Sequence, residues 1–131
     1  MLSNSVEQIS ISEEEVANYN VVDARSIDEF SVSAIAGAQR AEPESNEFGH
    51  LNLNPEKPVL VYCSIGYRSE KIGERLLTSN PNLKVYNLKG GIFQWVNDGK
   101  SLVDTTGKTT QKIHTYNKVW AVWLRNGIPT Q

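Results

Sequence analysis

The sequence has little of several residue types from which proteins commonly build metal sites and crosslinks. Its 131 residues include one cysteine and two histidines. A single cysteine excludes an internal disulfide and a clustered cysteine metal site. His50 and His114 lie far apart along the chain and show no metal-ligand spacing. The residues therefore imply no metal ion.

An excess of basic residues and a long apolar run are also lacking. The formal net charge of −2 and the pI near 5.7 argue against nucleic acid or an acidic membrane as the main partner. No apolar run approaches the roughly 20 residues of a membrane span. The first ten residues lack the basic and apolar regions of a signal peptide. We therefore expect a cytoplasmic protein, and 131 residues suffice for one hydrophobic core.

What the sequence does have is a central unit that starts with the apolar run Val59–Tyr62. A short apolar run bounded by breakers predicts a strand buried on both faces. Cys63 ends this run, a polar loop covers Ser64–Arg68, and a helical pattern then continues to just before Pro81. Open α/β sheets bind ligands at the carboxyl ends of their strands. We therefore expect Cys63 at such an end, as an exposed thiolate favoured by loop N–H groups and a helix N-terminus.

Short strands and helices alternate through the rest of the chain as far as residue 104. Ser26 and Glu29 have the spacing of a capping box. The alternation predicts an α/β domain with a mainly parallel sheet. The further predicted strands are Ile9–Ile11, Val21–Ala24, Gly37–Arg40 and Lys84–Leu88, and the further predicted helices run from Ser12 to about Tyr19, over Ile27–Val32 and over Ile92–Asn97.

The segment after residue 104 has a different character. Asp104–Thr110 is rich in turn-forming residues and predicts a linker. Apolar residues then recur on one face of a predicted helix that ends near Gly127. We therefore divide the chain into a domain over residues 1–104 and an extension over residues 105–131, whose amphipathic helix packs on the same domain. The residues on that helical face are Tyr116, Val119, Trp120, Trp123 and Leu124.

Three separated stretches carry motifs of one protein family: Val21–Arg25 with Glu29–Phe30 and Ile35–Ala38, then Val61–Ser69, then Leu88–Ile92 with Trp95. These stretches resemble the rhodanese family of the rhodanese/Cdc25 superfamily. They are similar to that family's D-x-R, E-F/Y and G-H-I-x-G-A residues, to its active-site loop Y-C-x-x-G-x-R-S and to its closing L-x-G-G-I/F-x-x-W. Ser33 and Ala34 stand where the family has Gly-His, a departure that concerns packing more than chemistry.

The resemblance implies a five-stranded parallel sheet with helices on both faces and a sulfurtransferase reaction. Cys63 would be the catalytic residue, which accepts a sulfane sulfur as a persulfide and passes it to a thiophilic acceptor such as cyanide or a thiol. The donor would be thiosulfate or a persulfide, carried by a small molecule or a protein. No cofactor is implied.

The loop residues are expected to bind the substrate, mainly through backbone N–H groups. Arg68 has two interpretations: its guanidinium binds an anionic donor, or it pairs with a nearby carboxylate such as that of Glu70. Asp23 and Arg25 are expected to form structural hydrogen bonds beneath the loop. The loop residues assigned to substrate binding are Ser64, Ile65, Gly66, Tyr67, Arg68 and Ser69.

Two alternatives to the sulfurtransferase stay open. One is a sulfur-relay or protein-binding module with little small-molecule turnover. The other is a phosphatase or arsenate reductase on the related fold. The absence of a second cysteine disfavours the reductase. The phosphatase is disfavoured because four residues separate Cys63 from Arg68, whereas cysteine phosphatases use a loop longer by one residue. The sequence does not decide the oligomeric state.

Overall fold

The computed structural model describes residues 6–114 and 128–130. Its main element is a five-stranded sheet in the order β1-β5-β4-β2-β3, and each neighbouring pair of strands is parallel. A 3₁₀ helix over Glu14–Asn18 follows β1. The strands are β1 (Glu7–Ile9), β2 (Asn20–Asp23), β3 (Gln39–Arg40), β4 (Val59–Tyr62) and β5 (Val85–Leu88), and the helices are α1 (Ile27–Val32), α2 (Tyr67–Ser79) and α3 (Gly91–Asn97).

The central strand β4 is buried along its whole length because helices cover both faces of the sheet. Leu60 and Tyr62 of β4 pack in one apolar cluster with residues of α3. Val59 and Val61 point to the opposite face and pack in a second cluster with residues of α2. Successive side chains of a strand point to opposite faces, so a continuous apolar run is what a sheet with two covered faces requires. The predicted α/β fold with a parallel sheet is confirmed.

The first strand differs from its prediction. It runs over Glu7–Ile9 rather than Ile9–Ile11, since pairing with β5 sets its register: Glu7 lies opposite Tyr86 and Ile9 opposite Leu88. Ile11 lies beyond the end of the strand and is buried in the apolar cluster that includes residues of α3. The helix predicted after Ser12 is a 3₁₀ helix.

The segment after residue 103 contains strands where the sequence predicted a linker. Leu102–Val103 (β6) and Thr109–Thr110 (β7) form an antiparallel pair. The Asp104 carboxylate closes the turn between them by accepting hydrogen bonds from the backbone N–H groups of Thr106 and Lys108. Lys112–His114 (β8) then pairs with Ile128–Thr130 (β9) in parallel.

The amphipathic helix predicted between Tyr116 and Leu124 lies outside the described residues. The proposed boundary at residue 104 therefore stays a prediction, although Ile113 of β8 is buried in the same cluster as Leu60. Among the described residues, none of the helices has both the length and the apolar character needed to cross a membrane.

Candidate functional site

Cys63 lies where β4 ends, and the loop behind it folds back over its sulfur. The backbone N–H of Gly66 donates a hydrogen bond to Cys63 Sγ at 3.0 Å. Gly66 precedes the first residue of α2 and has φ of +110°, a conformation that residues with a Cβ rarely adopt. The turn places Sγ beside the N-terminus of a 13-residue helix. The cysteine itself is only 1% exposed, so the expectation of an exposed thiol is wrong for this conformation.

A buried hydrogen-bonded group fixes the far side of the loop. The Ser69 hydroxyl lies 3.4 Å from Cys63 Sγ and donates to Asn87 Oδ1 at 2.6 Å. The amide Nδ2 of Asn87 in turn donates to the carbonyl oxygen of Gly66 at 3.0 Å. Asn87 therefore holds both Ser69 and the turn residue in place. Sequence reasoning missed Asn87, although an asparagine within the apolar strand Val85–Leu88 was a usable signal.

Arg68 is held by a carboxylate from a different helix. Its Nη1 and Nη2 donate to the two carboxylate oxygens of Glu29 at 2.9 and 3.0 Å, and Nη2 also contacts the Ser64 hydroxyl at 3.1 Å. Glu29 is fully buried at the start of α1, where it also closes the predicted capping box with Ser26. Of the two interpretations of Arg68, the structure supplies a carboxylate partner, and that partner is Glu29. Sequence reasoning had placed Glu29 in a helix cap and in the first of the three family-like stretches, but not beside Arg68.

The pairing of Arg68 with Glu29 keeps both groups charged. Burial by itself raises the pKa of Glu29, but the hydrogen bonds and the charge of Arg68, with help from Ser26 and Arg25, outweigh it and hold that pKa at about 2. Burial likewise lowers the pKa of Arg68, and Glu29 more than restores it. The pair is therefore ionised throughout the neutral pH range.

A second arginine–carboxylate pair lies deeper beneath the loop. Arg25 Nη2 donates to Asp23 Oδ2 at 2.7 Å and to the carbonyl oxygen of Ser33 at 2.6 Å. The Tyr62 hydroxyl donates to the same Asp23 oxygen at 2.6 Å. Burial and the Asp23 charge raise the pKa of Tyr62, so its hydroxyl stays a donor. These contacts tie β2 to the end of β4, which is the structural role predicted for Asp23 and Arg25.

The N-terminus of α3 binds the backbone of the cysteine loop. The N–H groups of Ile92 and Phe93 donate to the carbonyl oxygens of Cys63 and Ser64 at 2.8 and 3.1 Å. Gly91 makes this approach possible, because a Cβ there would lie 2.4 Å from the Ser64 oxygen and 2.5 Å from the Cys63 oxygen. The two carbonyls are thus turned toward α3, which leaves the N–H of Gly66 to face the sulfur. The closing glycine motif of the sequence is part of the site.

The predicted site residues do not all face the sulfur. Gly66 and Ser69 contact Sγ, while Ser64 and Arg68 contact Glu29. Ile65 and Tyr67 are instead 38% and 64% exposed on the outer side of the loop. Among the described residues, no group of three or more histidine, cysteine and acidic side chains could hold a metal ion.

This geometry can be compared with known proteins. A family model for the rhodanese-like domain matches residues 7–98, which include all five strands of the main sheet and the loop after Cys63. The chain belongs to the rhodanese-like family. The fold and the recognition proposed from the three sequence stretches are therefore confirmed. Members of this family act with sulfur donors and acceptors.

Individual relatives have modest identity to this rhodanese-like chain. It is 31% identical over 75 residues to the uncharacterized protein YqhL of Bacillus subtilis, a match over 57% of this chain and 59% of YqhL, which is less than two thirds of that relative. A rhodanese-related protein from Thermoplasma volcanium is 28% identical, with a TM-score of 0.60 over 72% of this chain and 96% of that one. A thiosulfate sulfurtransferase from Pseudomonas aeruginosa shares the fold, with 24% identity and a TM-score of 0.64 over 79% of this chain and 21% of that one.

Proposed function

We propose that the protein is a sulfurtransferase in which Cys63 carries a sulfane sulfur as a persulfide. The observation that supports this most directly is the hydrogen bond from the Gly66 N–H to Cys63 Sγ at the N-terminus of α2. A thiolate is the nucleophilic form of cysteine, and N–H groups at a helix N-terminus favour it. The same N–H groups suit a persulfide anion after transfer.

The reaction consists of two displacements at sulfur. The Cys63 thiolate attacks the outer sulfur of the donor, a bond forms between the two sulfurs, and the donor's sulfur–sulfur bond breaks with its electron pair going to the leaving group. A thiolate or cyanide acceptor then attacks the outer sulfur of the persulfide and releases Cys63 as a thiolate. No net oxidation occurs, so the chemistry needs no redox cofactor.

The loop residues assigned to the substrate have different proposed roles. Gly66 and Ser69 contact Sγ directly and would contact the transferred sulfur. Ser64, Ile65 and Tyr67 would shape the entrance, and Arg68 completes the loop through its contact with Ser64. The short loop favours a single terminal sulfur over a tetrahedral phosphoryl group.

Intact-mass measurement tests the proposal. The purified protein is incubated with thiosulfate or with cysteine persulfide and is then treated with cyanide. We expect the mass to rise by one sulfur atom and to return to its starting value as thiocyanate forms. Cys63→Ser should fold normally and take up no sulfur, because its hydroxyl is a poor nucleophile at neutral pH. Sulfur retained by Cys63→Ser would contradict the proposal.

A phosphatase assay on the same samples tests the related chemistry. We expect no hydrolysis of an aryl phosphate by the wild type. Hydrolysis that depends on Cys63 and exceeds sulfur transfer would replace the sulfurtransferase with a phosphatase. One residue inserted after Gly66 should suppress sulfur transfer if the length of the loop selects for sulfur.

A relay module is the second candidate, favoured by the exposure of two large apolar side chains on the loop. Ile65 and Tyr67 are 38% and 64% exposed, and they offer a contact surface for a protein donor or acceptor. Single loading without repeated turnover of thiosulfate and cyanide would favour the relay. Sustained thiocyanate production would favour the enzyme.

A further inference from the structure

We propose that the donor for Cys63 is a persulfide carried on a thiol, R–S–SH, in preference to thiosulfate, and that Glu29 sets this preference by holding Arg68. The inference depends on the proposed function, because it assumes that Cys63 accepts a sulfane sulfur. It names which of the two possible donors the site suits.

The first support is the state of the Arg68 guanidinium. Two of its nitrogens face the two oxygens of Glu29, at 2.9 and 3.0 Å, in the forked arrangement that an oxyanion substrate would need. Glu29 is fully buried, whereas the Arg68 side chain is 29% exposed. A donor oxyanion that took over the guanidinium would leave the buried carboxylate without its main partner, and an unpaired buried charge is unfavourable.

The second support is the charge balance beneath and around the loop. Arg25 is paired with Asp23, and both side chains are fully buried. Arg68 is paired with Glu29, and Glu70 adds a further buried carboxyl group on α2. The groups packed under the loop therefore present no net positive charge to an incoming anion.

A further cation lies near the loop, at its outer surface. Lys71 Nζ is 6.0 Å from the centre of the Tyr67 ring. Solvent and salt screen a charge at such a surface far more than a charge inside the site. Lys71 therefore does not substitute for a guanidinium beside the sulfur.

The two donors make different demands on this charge balance. Thiosulfate brings two negative charges to the Cys63 thiolate, and sulfite leaves with two. A thiol persulfide reacts as Cys63–S⁻ + R–S–SH → Cys63–S–SH + R–S⁻, so one negative charge enters with the thiolate and one leaves. A site whose charged side chains carry no net positive charge opposes the first reaction more than the second, because like charges repel strongly where water is scarce.

The outer surface of the loop adds a contact for the group R. Ile65 and Tyr67 are exposed beside the covered sulfur. Such side chains can pack against the carbon atoms of an organic carrier, whereas the sulfonate of thiosulfate has none. The charge balance and the exposed apolar side chains therefore both favour a thiol persulfide as the donor.

Single-turnover loading of the wild-type protein is the primary test. Cysteine persulfide and sodium thiosulfate are mixed separately with the protein at equal concentration and fixed ionic strength, and the one-sulfur mass increase is followed with time. We expect loading from cysteine persulfide to be faster by about tenfold or more, given the penalty for juxtaposed like charges. Equal or faster loading from thiosulfate would overturn the inference. Loading from neither donor would instead refute the proposed function.

Substitutions at the ion pair then test the role of Glu29. Glu29→Gln should release the guanidinium and shift the ratio of the two rates toward thiosulfate, while a purely structural defect would slow both donors alike. Adding Arg68→Gln to Glu29→Gln removes both charges of the pair and should return that ratio to within about twofold of the wild type, because the net charge of the site is then unchanged. Selective loss of thiosulfate loading in this double variant would overturn the inference. Glu42→Gln, which removes the carboxylate of the exposed Arg40–Glu42 pair, is the matched control and should match the wild type.

The result does not depend on every variant folding. If Glu29→Gln is unfolded by circular dichroism, the wild-type ratio and the ratio in the double variant decide the question. A folded Glu29→Gln protein with an unchanged ratio would refute the role of Glu29.

Discussion

Two arginine–carboxylate pairs lie at the same end of the sheet, and they differ in their access to solvent. Both side chains of the Arg25–Asp23 pair are 0% exposed, whereas Arg68 of the second pair is 29% exposed above a buried Glu29. The first pair joins β2 to β4 through Tyr62, and the second joins α1 to the start of α2. The Arg25–Asp23 pair thus lies in the protein interior, whereas the Arg68–Glu29 pair lies at the solvent-exposed edge of the candidate site.

The comparison predicts a graded response to mutation, and the largest loss of stability should come from Asp23→Asn. This change leaves the Arg25 charge buried without its carboxylate. We expect the free energy of unfolding to fall by about 3–5 kcal/mol, as for other broken buried pairs. Chemical denaturation measures the loss. The control Glu42→Gln removes an exposed pair and should cost less than about 1 kcal/mol. Equal losses of unfolding free energy in the two variants would show that burial of an ion pair does not determine its contribution to stability.

Gly91→Ala should disturb the loop above both pairs without replacing a residue of either pair. Its Cβ would lie 2.4 Å from the Ser64 carbonyl oxygen, and Gly91 has φ of +65°. The positive φ alone costs about 1–2 kcal/mol, and the contact with backbone adds to this. We expect a larger loss of stability than in Gly99→Ala, where φ is +82° and no atom lies within 4 Å, together with slower persulfide formation.

Thermal unfolding and intact mass measure the two effects of Gly91→Ala. Equal behaviour of the two alanine variants in both assays would show that the contact between α3 and the loop is unimportant.

Arg68→Gln should cost less than Asp23→Asn, because its pair is open on one side. Glu29 keeps hydrogen bonds from the hydroxyl groups of Ser26 and Ser64. We expect a loss of about 1–2 kcal/mol, between the values typical of exposed and buried pairs. Denaturation under the conditions used for Asp23→Asn gives the comparison. A loss as large as that of Asp23→Asn would show that exposure of Arg68 has no energetic consequence.

The last prediction concerns acid sensitivity. Because the pKa of Glu29 falls to about 2 on folding, the folded state binds the Glu29 proton more weakly than the unfolded state. This carboxylate therefore stabilises the protein fully above its usual pKa of about 4.3, and the contribution is lost as the pH falls from there toward 2. Stability measured between pH 6 and pH 2 should show a shallower decline in Arg68→Gln than in the wild type. Identical slopes would contradict this origin of the shift.

The sequence predicted best those elements whose signals are local. The apolar run before Cys63, the capping box at Ser26 and the helix that ends before Pro81 all lie where they were expected. The register of β1 was wrong because an edge strand is positioned by its neighbour β5 rather than by its own alternation.

The site was predictable in composition but not in its contacts. Cys63 and its loop stood out because a lone cysteine follows a buried strand. The partners Glu29, Asn87 and Gly91 come from three other elements, and their contacts with the loop depend on the packing of distant segments. For the same reason the sequence left the partner of Arg68 open.

The pairing of β1 with β5 has a consequence for how the molecule forms. Glu7 lies opposite Tyr86, so the first strand reaches its place only after nearly eighty further residues have left the ribosome. Parallel pairings of such long sequence separation slow folding, toward milliseconds to seconds for topologies dominated by them. During that interval Cys63 is uncovered, since Gly91, which packs against the carbonyl group of Cys63, comes even later in the chain. Cys63 of a newly made chain should therefore react with alkylating reagents much faster than Cys63 of the folded protein. The decline of the alkylation rate with time would measure how fast the loop closes.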